Sequence, residues 1–152
     1  MRTLHSLRRL AAPLLAASFS AALLAAAGAA SASDLVVVVS AKSSVGALRP
    51  DQVAAIFLGQ APRFPDGMEA VPLDQRLGSP LRDEFYTRVA GKTPPLLKAY
   101  WSKLVFTGRG QPPAEAADSA AVRRRVAENP ELIGYIDRSA LDASVRPVLV
   151  VQ

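Results

Sequence analysis

Between Leu73 and Phe85 the chain reads LDQRLGSPLRDEF, following directly on an apolar Val71-Pro72-Leu73. Gly78-Ser79 makes a turn, and Pro80 suits the first turn of a helix that carries on through a charged, amphipathic run. With Ser79 as N-cap, its hydroxyl and the unpaired amides of the first helical turn face one point, where the helix dipole also favours negative charge. Arg82 lies one turn into that helix and Arg76 on the approaching loop. Two guanidinium groups so placed could close on an oxyanion from opposite sides. A structural cap explains the same residues, since Ser-Pro commonly starts helices and Pro80 withdraws one amide. The residues alone leave both readings open.

Few other chemistries are available. The sequence has no cysteine, and its single histidine is His5. His5 falls in a segment read below as a leader, so Ser-His-Asp and Cys-His catalysis and zinc sites built on His or Cys are excluded, and no metal or cofactor is expected. The carboxylates Asp74, Asp83 and Glu84 form an acid/base pair only in the generic sense that neighbouring carboxylates do. No enzymatic activity is expected.

The first residues, MRTLHSLRR, are basic, and an Ala/Leu-rich run from Leu10 to Ala27 follows, then Ala30-Ser31-Ala32. That order of basic head, apolar run and small-x-small cleavage site reads as a secretory signal peptide over residues 1–32, with a periplasmic domain over 33–152. The leader holds Arg2, Arg8 and Arg9 and no acid, so the formal charge of +5 falls to +2 downstream. Such a balance gives no support to nucleic-acid binding, which needs a clustered basic face. The one dense basic run, Arg123-Arg124-Arg125, points in three directions on a helix and reads as solvated surface.

Downstream of the leader the elements alternate. Asp34 to Ser40 is a continuous apolar, β-branched run, which predicts a strand buried on both faces as in a parallel sheet. A helix is expected from Pro50 to Gly59, a short strand from Met68 to Leu73 with Pro72 marking its end or a sheet edge, and a second helix from Ser79 to Gly91. Thr93-Pro94-Pro95 announces a third helix whose apolar stripe holds Leu96, Leu97, Tyr100, Trp101, Leu104 and Val105, with Tyr100 and Trp101 as core. A loop through Pro113 leads to a helix capped by Asp118 or Ser119 and stopped at Asn129-Pro130. Strands at Ile133–Ile136 and Val145–Val151 complete the chain, the last apolar enough to be central. The fold class is α/β: a mostly parallel sheet flanked by helices, with ligands expected where strand ends meet helix starts.

The order of segments resembles one lobe of the type II periplasmic binding proteins, specifically the phosphate-binding proteins of phosphate ABC transporters. In that family a Gly-Ser-Gly-Thr-Arg-x-x-Phe stretch follows a strand and opens a helix that binds the oxyanion. Gly78, Ser79, Arg82 and Phe85 fall on matching positions. The run LRPDQVAAIFLG from Leu48 to Gly59, the Phe64–Gly67 turn, Leu97–Trp101 with Phe106-Thr-Gly108, and Ile133–Ile136 carry the resemblance over nearly all of the presumed domain. Pro80 and Leu81 stand where the family has Gly and Thr, and Gln75 and Leu77 occupy the positions of its acidic residue and arginine just before the Gly-Ser. The length suffices for only one of the two lobes.

The resemblance implies a non-catalytic, exported protein that binds phosphate or a similar oxyanion through Gly78, Ser79, Arg82 and Arg76, with a membrane transporter or another envelope protein as partner. The alternative is a periplasmic adaptor or sensory domain that has lost the ligand.

Overall fold

The computed structural model describes residues 34–152. The expected leader and its cleavage site lie outside them. The elements run β1 (Leu35–Ser40), α1 (Pro50–Phe57), β2 (Val71–Gln75), α2 (Pro80–Ala90), α3 (Pro94–Phe106), β3 (Ala114–Ala116), α4 (Ser119–Glu128), β4 (Leu132–Asp137), a single 3-10 turn over Arg138–Ala140, and β5 (Val145–Val151).

The α/β class holds. One sheet in the order β3-β2-β4-β1-β5 lies between two helical layers. Strand β1 alternates between them: Leu35, Val37 and Val39 pack with Phe57, Phe85 and Trp101 from α1, α2 and α3, while Val36 and Val38 join Val122 and Val126 of α4. Both faces of β1 are therefore buried, as its unbroken apolar run requires.

The direction of β1 differs from expectation. It pairs antiparallel with both β4 and β5, whereas β2 runs parallel to β3 and β4. Four strands thus share one direction and β1 alone is reversed. Burial on two faces comes from helices on two sides, which constrains hydropathy and is blind to strand direction.

The last strand is also displaced from its expected place. β5 forms an edge rather than the centre, with only part of its run buried. Its Pro147 and Arg146 suit an edge, and a register shift between Val37 and Val38 accommodates them. Strand β2 extends to Gln75, beyond the expected end, and is flanked on both sides. Pro72 nonetheless sits where only β4 is beside it, because pairing with β3 starts at Leu73. The amide that Pro72 lacks would point to that open side.

Helix α3 buries less than its pattern promised. Leu97 and Trp101 are buried, Tyr100 and Leu104 half-buried, and Leu96 and Val105 exposed. On the other side of the sheet, Gly134 of β4 is required by close approach: a Cβ there would lie 2.4 Å from Val122 Cγ1. α4 consequently rests almost directly on the β4 backbone, and its first residue is held over the end of the sheet. Asp118 caps α4 as expected, accepting from the Ala121 amide at 2.8 Å.

Candidate binding depression at the strand ends

The carboxyl ends of β2 and β4 stop beside the amino ends of α2 and α4. An open depression of about 460 Å³ lies there, lined among others by Gln75, Ser79, Leu81, Glu84, Ser119 and Asp137. Its floor is Gln75, which sequence reasoning had passed over. The Gln75 carbonyl accepts from Ser79 Oγ at 3.1 Å, and its amide donates to Ser119 Oγ at 3.0 Å and to the Tyr135 carbonyl at 3.2 Å. Ser119 Oγ also accepts from the Asp137 amide at 3.0 Å. One buried amide side chain therefore ties the first residues of two helices to the ends of two neighbouring strands.

Ser79 holds the N-cap backbone conformation, but its side chain makes no cap bond. Its hydroxyl donates sideways to Gln75 instead. The amides of Leu81 and Arg82, which no residue inside the helix can accept, have no partner among the described residues.

Arg82 lies elsewhere than its spacing suggested. Rather than reaching toward the depression, it is 6 % exposed, and its Nε donates to Asp74 Oδ2 at 3.0 Å. Asp74 sits inward on β2, and Tyr86 lies one turn beyond Arg82 on the same face of α2, its hydroxyl donating to Asp74 Oδ2 at 2.9 Å. Tyr135 of β4 donates a short hydrogen bond to the other oxygen, which also accepts from the Gln75 backbone amide at 2.9 Å. The rings of Phe85 and Tyr135 stack at 4.0 Å, and Phe57 packs at 4.7 Å from Phe85. An aromatic box thus encloses one ion pair and two phenols. The sequence signal for it is slight: a charged residue inside an otherwise apolar strand, and an Arg-Tyr pair four residues apart on the helix that follows.

Arg76 and Gly78 remain on the exposed loop between β2 and α2, and Gly78 adopts a left-handed φ of 84°. That turn needs glycine. Arg76 does not line the depression. The carboxylates on its wall are already engaged: Asp118 in the α4 cap, Asp137 with the Ser139 amide at 2.9 Å, and Glu84 with Arg88 at 3.2 Å. Arg123, Arg124 and Arg125 do diverge, Arg123 reaching Asp142 at 3.2 Å and Arg125 the Glu115 carbonyl at 3.3 Å.

Burial pushes the Asp74 carboxyl above the ordinary value of 3.8, outweighing the lowering by Tyr135, Arg82 and Tyr86. The Ser139 hydroxyl and amide hold Asp137 below it. The two have opposite linkage. Asp74's titration adds stability that is complete below its unfolded pKa and is lost as pH rises through the higher folded value. Asp137's contribution is present above its unfolded pKa and is lost as pH falls through the lower folded value. A carboxylate-resolved NMR titration should place the Asp74 midpoint above and the Asp137 midpoint below that of an unstructured aspartate; an Asp74 midpoint on the low side would mean that hydrogen bonding beats burial.

No protein-family model matches the sequence, and no curated protein matches it. Solved structures do. A protein described as a phosphate ABC transporter substrate-binding protein from Clostridium perfringens, solved with bound phosphate, superposes with a TM-score of 0.59 at 24 % identity, covering 76 % of this chain and 44 % of that one. The fold is that of one binding-protein lobe. An ABC-type phosphate transport receptor from Vibrio cholerae matches this lobe with a TM-score of 0.58 at 16 % identity, and PstS from Borrelia burgdorferi with 0.57 at 12 %. Each aligns over 76 % of this chain and under half of its own length, 45 % and 46 % respectively. At these identities the likeness concerns the fold. The lobe's depression lies outside the carboxyl ends of parallel strands, the general location of ligands in open α/β sheets.

Proposed function

We propose that the protein is an exported, non-catalytic binding module that takes phosphate or a similar small oxyanion at the start of α2 and serves a membrane transporter. The observation that carries this reading is the pair of unpartnered first-turn amides, Leu81 and Arg82, beside the strand-end depression. Gly78 lets the backbone come close, Ser79 can rotate its hydroxyl toward an anion, and Arg76, exposed on the loop outside the depression, supplies a positive charge. Arg82 contributes its backbone amide, since its guanidinium belongs to Asp74. Binding at this lobe is loose: the depression is open to solvent, so each contact is made at high dielectric and is weakened by salt.

Calorimetry with phosphate, sulfate and molybdate at low ionic strength tests this, together with amide spectra. Phosphate is expected to bind with a roughly millimolar Kd and to move the Leu81 and Arg82 amide signals. Arg76→Ala should weaken binding by about fivefold with no change in stability, because Arg76 is exposed. Silent calorimetry with unmoved amides would sink the proposal.

The adaptor reading has an observation of its own. Glu84, Asp118 and Asp137 line the depression, and no lysine or arginine does. A wall of that sign opposes a multiply charged anion, and if phosphate fails to bind, the depression is better suited to a protein contact.

A further inference from the structure

The outward face of α3 plays no part in the depression, and its composition is unlike the rest of the molecule. Residues 85–114 contain five basic side chains and no acidic one, whereas the remainder of the described chain has ten basic and thirteen acidic. Positive charge is thus gathered on one segment of a described chain that is otherwise net negative. Two of the five cations are engaged: Arg88 pairs with Glu84 at 3.2 Å, and Lys92 Nζ lies 4.9 Å from the centre of the Tyr100 ring. Lys98, Lys103 and Arg109 are exposed and make no ion pair with any described carboxylate.

Apolar side chains stand among these cations. Phe106 is 93 % exposed, Leu96 56 % and Val105 49 %. On a helix, Pro95, Ala99, Ser102 and Phe106 fall in one row, opposite the Leu97 and Trp101 row that enters the core. Lys98 and Val105 flank that row on one side, Lys103 and Leu96 on the other. Lys103, in the last turn, also complements the helix dipole, but Lys98 at mid-helix has no such reason to be there. The face is a single helix ending in an exposed aromatic, with cations on both flanks of its apolar residues. That combination of apolar and positive groups matches an interface that is apolar below and negative above.

We infer that α3 docks the domain on an anionic membrane surface, with Phe106 entering the headgroup region and Lys98, Lys103 and Arg109 meeting lipid phosphates. Attachment is peripheral and reversible. One aromatic and three cations hold a protein loosely, and the cation share vanishes at high salt.

The test is co-sedimentation of the full-length protein, as isolated from cells, with phosphatidylcholine vesicles made with and without phosphatidylglycerol. Binding is expected only with phosphatidylglycerol and should be lost in high salt. Phe106→Ala should weaken partitioning about tenfold, and Lys98→Gln and Lys103→Gln about fivefold each, with thermal unfolding unchanged because all three side chains are exposed. Equal binding to neutral vesicles, no binding to either, or binding indifferent to these substitutions overturns the proposal. So does a dimer in sedimentation velocity that Phe106→Ala makes monomeric, since the face would then belong to a second copy of the chain.

Discussion

Asp74→Ala should leave a domain that barely folds. Asp74 is 1 % exposed and receives donors from Arg82, Tyr86, Tyr135 and its neighbouring amide. Its removal strands the Arg82 guanidinium and two phenolic hydroxyls in an aromatic enclosure that water does not reach. Breaking a buried pair from one side costs about 3 to 5 kcal/mol, against a total stability of about 5 to 15 kcal/mol for a domain. Urea unfolding, followed by the signal of Trp101, measures this directly. Arg82→Gln should be costly too, because Asp74 then loses its cation, although the carboxyl can take up a proton to limit the loss. Replacing the pair together, as Asp74→Leu with Arg82→Met, should cost less than the sum of the single changes, which is the signature of coupling. Single variants as stable as wild type would mean that the network is decoration. Arg82 cannot serve as a clean probe of anion binding, since any change there moves folding as well.

Trp101→Ala should cost about 3 to 5 kcal/mol, the usual range for deleting a large buried aromatic. Only Leu97 and Trp101 of α3 are fully buried, so these two side chains fasten the helix to the core. The indole lies against the turn at Gly59, where an added Cβ would be 3.6 Å from Trp101 Cη2, and its ring is 5.1 Å from that of Tyr100. Without the indole, α3 loses its grip on the end of α1. Amide exchange should show α3 opening at lower free energy than the sheet, before global unfolding. The neighbouring Phe106→Ala should change stability by less than about 0.5 kcal/mol, because that side chain already stands in solvent. A Trp101→Ala protein as stable as wild type would remove the indole from the core.

The contrast between these residues explains how much the sequence could disclose. Corners were legible because their residue types are forced: Gly78 and Gly91 supply left-handed conformations, Pro80 a helix start, and Asp118 a cap. The buried box was not. A guanidinium close to a Gly-Ser turn reads as an anion ligand, and only the inward register of Asp74, set by the pairing of β2 with β3 and β4, turns Arg82 the other way. Strand β3, Ala-Glu-Ala, has no strand-forming preference and is a strand only because β2 lies beside it. The edge position of β5 could have been read from Arg146 and Pro147, but its valines drew the eye to the centre. In α3 the hydropathy pattern was right about Leu97 and Trp101 and too generous with Leu96 and Val105, because apolarity alone does not separate a core stripe from an outward one.

The reversed strand also fixes which segments must meet for the sheet to close. Among the described elements β1 comes first along the chain, yet its partners are the last two strands: Leu35 faces Asp137 on one side and Val151 on the other. Closing the middle of the sheet joins residues roughly a hundred positions apart, the kind of long-range pairing that folds slowly. In a chain of this design the sheet is completed by its most distant partners.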